Sequence, residues 1–594
     1  MGGRTSRGSW LAVLIVAAGG SWACSSGGGA WRPGQALTVD VGGVFPPGTV
    51  LREQYGGGTA TVDAGGKVTI QPDASGGVAL LERDGAGPTP FTWSDATVYF
   101  AMTDRFANGD PANDGSYGRT KDGAQEVGTW HGGDWKGLTS KLDYIASLGA
   151  TAIWISPIVE QVHGWVGGGS GDFKHYGYHG YWALDFTLLD ANFGNEADLR
   201  ELVDQAHLRG LRVLADVVMN HPGYATGDDL LAYLPAVFKD GTGNAFRSFA
   251  PYDSRGWGAW NDLVDYNSAS WTNWWSPTWI RAGFPGFQTG GTDDLTRQLA
   301  YLPDFITEGT VSAGVPAFFG LKAGTGFTTD LGLTVRQYLV EWHAGWVARL
   351  GLDGFRCDTA KNVELASWAA LKSAGVQALR GWKAANPSKK LDDADFWMVG
   401  EVFPHGVSKD DYFTSGGFDA LLNFTFQPAL AALLKNRGSL AAGADDLDAL
   451  YAGYAAAISA DPGFDVLSYL SSHDTELFFA AVGQDAGKQR QAGTALLLAP
   501  GAAQIFYGDE SGRQLGPSGS DPLQGTRSDM NWSTSDGGIL AHWQKLGQFR
   551  KRHAAIGAGS HQRLASPAGT YAFARTLSGT GLDDAVVLVV TPTN

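Results

Sequence analysis

The sequence predicts an α/β chain built on a (β/α)8, or TIM, barrel. An inserted subdomain after the third strand, an N-terminal β module and a short C-terminal β domain complete the expected architecture. Three observations carry this. From about residue 93 apolar, strand-like runs alternate with helical patterns. Eight such runs occur before residue 552. Several of them end abruptly in polar residues, and a barrel of this kind gathers the C-terminal ends of its strands at one mouth. At 594 residues the chain is long enough for a barrel-sized core and accessory modules.

In chain order, Arg4 and Arg7 precede the apolar run Trp10–Ala18, which is too short to span a bilayer. Small residues follow, then Cys24 and a Ser/Gly tether. Residues 1–23 read as a signal peptide of lipoprotein type, with ordinary cleavage before Cys24 as the alternative. Either way the protein is expected to be exported, periplasmic or at the cell surface, and to touch the membrane only through lipid on Cys24. Residues 24–92 are rich in Gly, Pro, Thr and Val, with short alternating runs between Gly and Asp clusters, and predict the tether and the N-terminal β module.

The barrel is expected in two parts, 93–221 and 331–552. "TVYFAMTDRF" and "TAIWISPI" are strand-like. "NEADLRELVDQAHLRG" is a helix with Leu199, Leu202, Val203 and Ala206 on one face and Gly210 as its stop. "LRVLADVVMNH" is the third strand. Residues 222–330, rich in Gly, Trp and Asp, are too long for a loop and predict the inserted B subdomain. "TVRQYLVEWHAGWVARLG" is a helix opened by a Thr334/Gln337 capping box, with Val335, Leu339, Trp342 and Trp346 on one face. Then come "DGFRCD", "FWMVGE", "FDALLNF", "VLSYLSSHD" and "AAQIFYGDE", and residues 553–594 form the C-terminal β domain.

A net charge of −17 argues against nucleic acid, and against an acidic polymer as substrate. Trp 22, Tyr 19 and Phe 29 make the chain rich in rings that stack on sugars, although large cores use the same residues. At the strand ends stand Asp216, Asn220 and His221; Arg356 and Asp358; Glu401; His473 and Asp474. Any one of these could be a rim salt bridge. Four carboxylates converging from separate strands point instead to glycoside hydrolysis by two carboxyl groups, one ionised and one protonated. Arg356 and Asp358 share a strand face. The cation is expected to lower the pKa of Asp358 and to hold it as the nucleophile. Glu401 follows the apolar "FWMVG", where desolvation would raise its pKa as an acid requires. Asp474 is left to stabilise an oxocarbenium-like transition state. Cys357, between Arg356 and Asp358, should face away from them.

"DVVMNH", "GFRCDTAKN", "GEVF" and "SSHD", in this order, together with "YHGYW", "TAIWISP", "LPDF" and "IFYGDE", resemble the characteristic segments of the alpha-amylase family of retaining glycoside hydrolases. "LSYLSSHDT", "IFYGDES" and "GSDPLQGTRSDMNW" are similar to those of bacterial periplasmic alpha-amylases. The resemblance implies endo-acting hydrolysis of α-1,4-glucosidic bonds in starch, glycogen or maltodextrins with retention. It makes Asp358 the nucleophile, Glu401 the acid/base and Asp474 the transition-state stabiliser. Arg356 would orient Asp358, and Asp216 would support Arg356. His221 and His473 would bind hydroxyls, Tyr181 would stack on the cleaved sugar with His179 beside it, and Lys361 would reach the leaving side. Asn362 and Ser472 depart from the usual His and Asn of the family.

The resemblance also implies one or two structural Ca2+ ions. One would be held by Asn108, Asp110, Asn113, Asp114, Asp134 and the Gly132 carbonyl. The other would be held by Asn220, Asp304 and the backbone carbonyl of Asn362. A glucanotransferase, and a non-catalytic glucan-binding surface lipoprotein, are the alternatives. The chain is expected to act as a monomer on an α-glucan.

Overall fold

The computed structural model describes residues 31–119, 126–167, 173–249, 257–461, 463–519, 521–579 and 583–593. The predicted signal peptide and Cys24 lie outside them. Eight parallel strands close a barrel: β1 Thr97–Ala101, β2 Ala152–Ile155, β3 Arg212–Val217, β4 Gly354–Cys357, β5 Trp397–Gly400, β6 Ala420–Asn423, β7 Val466–Tyr469 and β8 Ala502–Phe506. Each lies within one of the eight apolar runs. All of their residues are buried, because side chains fill the barrel inside and helices cover it outside. The helix Glu196–Leu208 follows its expected face, with Leu199, Leu202, Val203 and Ala206 all buried. In Val335–Leu350, Thr334 and Gln337 cap each other reciprocally, an arrangement worth about 1 kcal/mol. Gly351 ends that helix at φ 79°, where a side chain would also meet Trp382.

The two terminal β segments, divided in the sequence reading into an N-terminal module and a C-terminal domain, belong to one sheet. Ser560–Leu564, Tyr571–Leu577, Asp584–Val590, Val78–Arg83, Val50–Glu53 and Thr59–Thr61 run in that order, all antiparallel. One face, including Leu80, Phe573 and Leu588, joins the barrel core. The other, including Leu81, Ala574 and Val587, is covered by the strand pair Leu37–Asp40 and Lys67–Ile70. A sheet buried on both faces needs apolar residues at consecutive positions, and "VALLE" and "AVVLVV" supply them.

His553, just past the helix Gly537–Arg552, joins this sheet to the barrel. Its Nε2 contacts Glu82 Oε2 at 2.5 Å and its Nδ1 contacts Asp584 Oδ1 at 2.9 Å. Burial opposes the imidazolium, but hydrogen bonds to Asp584 and Glu82 outweigh it and raise the pKa. A raised folded pKa adds stability that is complete below the unfolded value of about 6.5 and is lost as pH rises through the folded value. Wild-type Tm should therefore exceed that of His553→Gln by more at pH 6 than at pH 9. An equal gap at both pH values would show that the ring acts through packing alone.

Residues 222–330 carry little regular structure beyond the helix Gly227–Tyr233 and the strand pair Ile280–Arg281/Asp304–Phe305. Their core is aromatic: Trp274, Trp275, Trp279, Phe318 and Phe319 are buried together. Trp342 of the helix Val335–Leu350 stacks on Trp279 at 5.7 Å and 3°, so this residue of the predicted barrel face meets the insertion. The segment after β2 adds Val159–Gln161 paired with Ala183–Leu189 and carries "YHGYW" beside the insertion. Among the described residues no helix is long and apolar enough to cross a membrane.

Candidate active site

Parallel pairing of β3 with β4 sets Asp216 opposite Arg356, so both side chains project to the same side. Arg356 Nη1 donates to Asp216 Oδ2 at 3.0 Å and to Asp358 Oδ1 at 2.8 Å. Its Nη2 donates to Glu401 Oε2 at 2.7 Å. One buried guanidinium thus ties together carboxylates from the ends of β3, β4 and β5. The Thr359 amide adds a second donor to Glu401 at 3.1 Å. Asp216 also accepts from Tyr181 Oη at 2.8 Å and from Trp154 Nε1 at 3.1 Å. It therefore orients the cation and an aromatic ring of the mouth at once.

After β7, His473 Nε2 lies 2.8 Å from Asp474 Oδ2, and Arg527 Nη2 donates to Asp474 Oδ1 at 2.9 Å. Tyr181 stacks on His473 at 5.3 Å and 7°, and His179 on Tyr181 at 5.5 Å and 24°. His221 Nε2 is 3.2 Å from the Tyr181 carbonyl oxygen. A cavity of about 270 Å³ opens beside Arg356, Glu401, Phe403, Tyr469, Asp474 and Gln504. The structure therefore brings Asp216, His179, Tyr181, His221, Arg356, Asp358, Glu401, His473 and Asp474 into one connected group. Lys361 stands apart from it: its Nζ pairs with Asp294 Oδ2 of the insertion at 3.0 Å. Trp154 and Arg527 were missed by sequence reading. Trp154 sits among strand residues that look like core. Arg527 follows "QGT" in a loop without periodicity.

Electrostatics separate the carboxylates, and one expectation is corrected. Burial pushes Asp358 up to about 6 despite Arg356, so the net shift is upward, not downward as the Arg356–Asp358 pairing suggests. Loss of water outweighs one shared cation, which is divided among three carboxylates. Burial also raises Glu401, to about 7; Arg356 opposes this, and the charges of Asp358 and Asp474 add to it. Asp474 behaves oppositely. Partial loss of water works against its charge although 38% of the side chain stays exposed, but His473 and Arg527 hold it well below the usual carboxylate range. Burial lowers His221 to about 4, leaving a neutral ring. The group thus offers one carboxyl able to hold a proton near neutrality beside others that ionise more readily. Cys357 is buried on the other side of β4, and burial pushes its thiol well up.

The two implied cation positions differ. In the first, Asn113 Oδ1 is buried without a hydrogen-bond partner. Gly132, at φ 92°, leaves a space where a Cβ would come within 2.6 Å of both Asn108 Nδ2 and Asp114 Oδ1. Asn108 Nδ2 donates to both Asp114 oxygens at 2.8 and 3.0 Å, so with that amide turned the oxygens of Asn108, Asn113, Asp114 and Gly132 fit a hard cation. Asp134 instead caps the helix Trp135–Ser140 through Gly137 N and accepts from Asp110 N, and Asp110 pairs with Lys136. In the second position Asn220 Oδ1 is buried without a partner, but the charge of Asp304 is already met by Arg281 Nη1 at 2.8 Å. The Asn362 side chain donates to the Asp294 carbonyl at 2.6 Å, which leaves its backbone carbonyl, the expected ligand, untouched. That set does not fit a metal. Among the described residues no group of three or more His, Cys, Asp or Glu side chains is gathered as a metal site.

Residues 100–230 and 332–518 match the alpha amylase catalytic domain. The chain is 50% identical to the periplasmic alpha-amylase of Escherichia coli (strain K12) over 94% of its own length and 81% of that protein's. It is 29% identical to an alpha-amylase of Streptomyces lividans over 77% of its own length and 51% of that protein's. Among solved structures, the Geobacillus thermoleovorans alpha-amylase complexed with acarbose superposes with a TM-score of 0.55 at 24% identity, covering 85% of this chain and 88% of that one. The cyclomaltodextrin glucanotransferase CldA gives 0.56 at 22%, covering 83% and 87%. At these identities the structural likenesses speak for the fold alone.

Proposed function

The chain belongs to the alpha-amylase family of glycoside hydrolases, and from that premise we propose that it cleaves internal α-1,4-glucosidic bonds of starch, glycogen or maltodextrins with retention. The observation that carries the reading is the single guanidinium of Arg356 shared by Asp358 and Glu401 beside the cavity faced by Asp474. Glu401, holding its proton near neutrality, protonates the leaving oxygen. Asp358 attacks the anomeric carbon. Asp474, ionised throughout, faces the positive charge that develops on the ring. Glu401 then takes a proton from water as the glycosyl–Asp358 ester is hydrolysed. Tyr181 supplies the stacking face, and His221 and His473 are placed to meet sugar hydroxyls. Digestion of maltoheptaose followed by NMR tests this. Short linear products released as α-anomers are expected. β-Anomers would overturn retention, cyclic or lengthened products would indicate a glucanotransferase, and binding without turnover a non-catalytic receptor.

Calcium belongs to this reading at the loop Asn108–Asp114 with Gly132. There it would join two chain segments and stabilise the fold, without a part in the chemistry. A ligand bound only by the folded state at about 100 times its Kd adds about 2.7 kcal/mol. Stripping metal with chelator should lower Tm, and Asp114→Ala should remove most of that response. Full stripping, verified by metal analysis, with an unchanged wild-type Tm would exclude the site. Export is supported by the leader pattern and by the periplasmic address of the Escherichia coli relative. Acylation of Cys24 is the finer reading. The mass of the mature N-terminal peptide decides it, since an unmodified cysteine would exclude the anchor.

A further inference from the structure

We propose that Tyr301 is a specificity-determining residue for this reaction, a stacking platform for a glucosyl unit of the substrate at the mouth of the cleft. The inference rests on the α-glucan reading above. Tyr301 is 91% exposed, more than any other large apolar side chain among the described residues. Its backbone explains how it is presented. Ala300 and Tyr301 are consecutive non-glycine residues at φ 48° and 65°. L residues avoid this region because Cβ crowds the following carbonyl, and positions that keep it are over-represented where a side chain is held for a task.

The loop carrying Tyr301 is tied at both ends to the mouth of the barrel. At one end, the Asp294 carbonyl accepts from Asn362 Nδ2 at 2.6 Å, and its carboxylate pairs with Lys361. Those partners lie three and four residues past Asp358. At the other end, the Ala300 carbonyl accepts from Tyr224 Oη at 2.7 Å, and Tyr224 lies three residues past His221. The segment 294–301 thus runs between the ends of β3 and β4. Its bracket is a series of rings that reaches the site itself. Tyr224 meets Trp182 edge-on at 4.9 Å, Trp182 meets His179 at 4.6 Å, and His179 stacks on Tyr181. The loop backbone is held at both ends, and the ring it carries is left in water with a flat apolar face. The axial C–H face of a glucosyl ring matches such a face, and hydroxyls at the sugar's edge stay in water. Phe403, 61% exposed, flanks the same mouth two residues past Glu401.

The test compares Tyr301→Ala and Tyr301→Phe with wild type on maltoheptaose, and repeats the comparison as maltoheptaose affinity in the Glu401→Gln background. Tyr301→Ala should raise KM and weaken affinity by roughly five- to tenfold, as loss of one stacking contact does, with a small change in kcat. It should also shift the bond cleaved, so that the ratio of products changes. Tyr301→Phe, which keeps the ring, should match wild type, and both variants should melt as wild type does. Unchanged KM, affinity and product ratio in Tyr301→Ala would overturn the proposal. So would a Tyr301→Phe variant as impaired as Tyr301→Ala, because the ring face would then not be the cause. Absence of wild-type turnover would refute the reading of the reaction, and the affinity comparison would still decide the role of Tyr301.

Discussion

Glu401→Gln is expected to lower kcat on starch by about 10³-fold or more while glucan affinity stays within a few-fold of wild type. General acid–base groups contribute about 10²–10⁴-fold, and here one residue serves both steps. Glutamine keeps the shape of the side chain and can still lie beside Arg356 and the Thr359 amide, so the site should assemble. What it loses is the proton that burial holds on the carboxyl up to about pH 7. A substrate whose leaving group needs no proton separates the two steps. With α-maltosyl fluoride the first step should recover, the second should not, and a glycosyl-enzyme should accumulate on Asp358. Azide, which attacks without a base, should release it. The alkaline limb of kcat/KM should vanish in this variant, since in wild type it reports ionisation of the acid. Retention of a tenth of wild-type activity on starch, or an alkaline limb that persists, would move the acid elsewhere.

The catalytic group was legible because its members announce themselves locally. Asp216, Arg356, Asp358, Glu401 and Asp474 each follow an apolar run that can only be a buried strand, and strand ends of a barrel converge whatever lies between them. What was not legible depends on distance in space. Whether Arg356 depresses Asp358 depends on how many carboxylates share it and how much water remains, and neither is written in "GFRCD". Arg527 reaches Asp474 from a loop with no pattern of its own. The joint sheet pairs Val78–Arg83 with Asp584–Val590 from opposite ends of the chain. Its unalternating apolar runs hint at burial on both faces, but not at the partner. The second calcium position illustrates the same limit. Asn220 and Asp304 stand where the family resemblance puts them, yet Arg281, on a neighbouring strand of the insertion, supplies the positive charge.

Asp358→Asn should reduce turnover by about 10⁴-fold or more on every substrate, α-maltosyl fluoride included. That last point separates it from Glu401→Gln. An amide oxygen beside the anomeric carbon is a poor nucleophile, so leaving-group activation cannot restore the step, and no glycosyl-enzyme should form. Folding should survive, because Arg356 keeps Asp216 and Glu401 as partners and no buried charge is left alone. The substitution should also reach Glu401. The negative charge of Asp358 is one of the causes that raise the Glu401 pKa, so its removal should let Glu401 ionise at lower pH. In wild type, activity requires Asp358 ionised and Glu401 protonated. With the two near 6 and 7, kcat/KM should be bell-shaped and narrow, its limbs belonging to the coupled pair. Titration of Glu401 by infrared difference spectroscopy in Asp358→Asn should show the downward move directly. An unmoved or raised Glu401 would mean that Asp358 does not hold the proton on its neighbour, and a covalent adduct in this variant would mean that Asp358 does not attack the sugar.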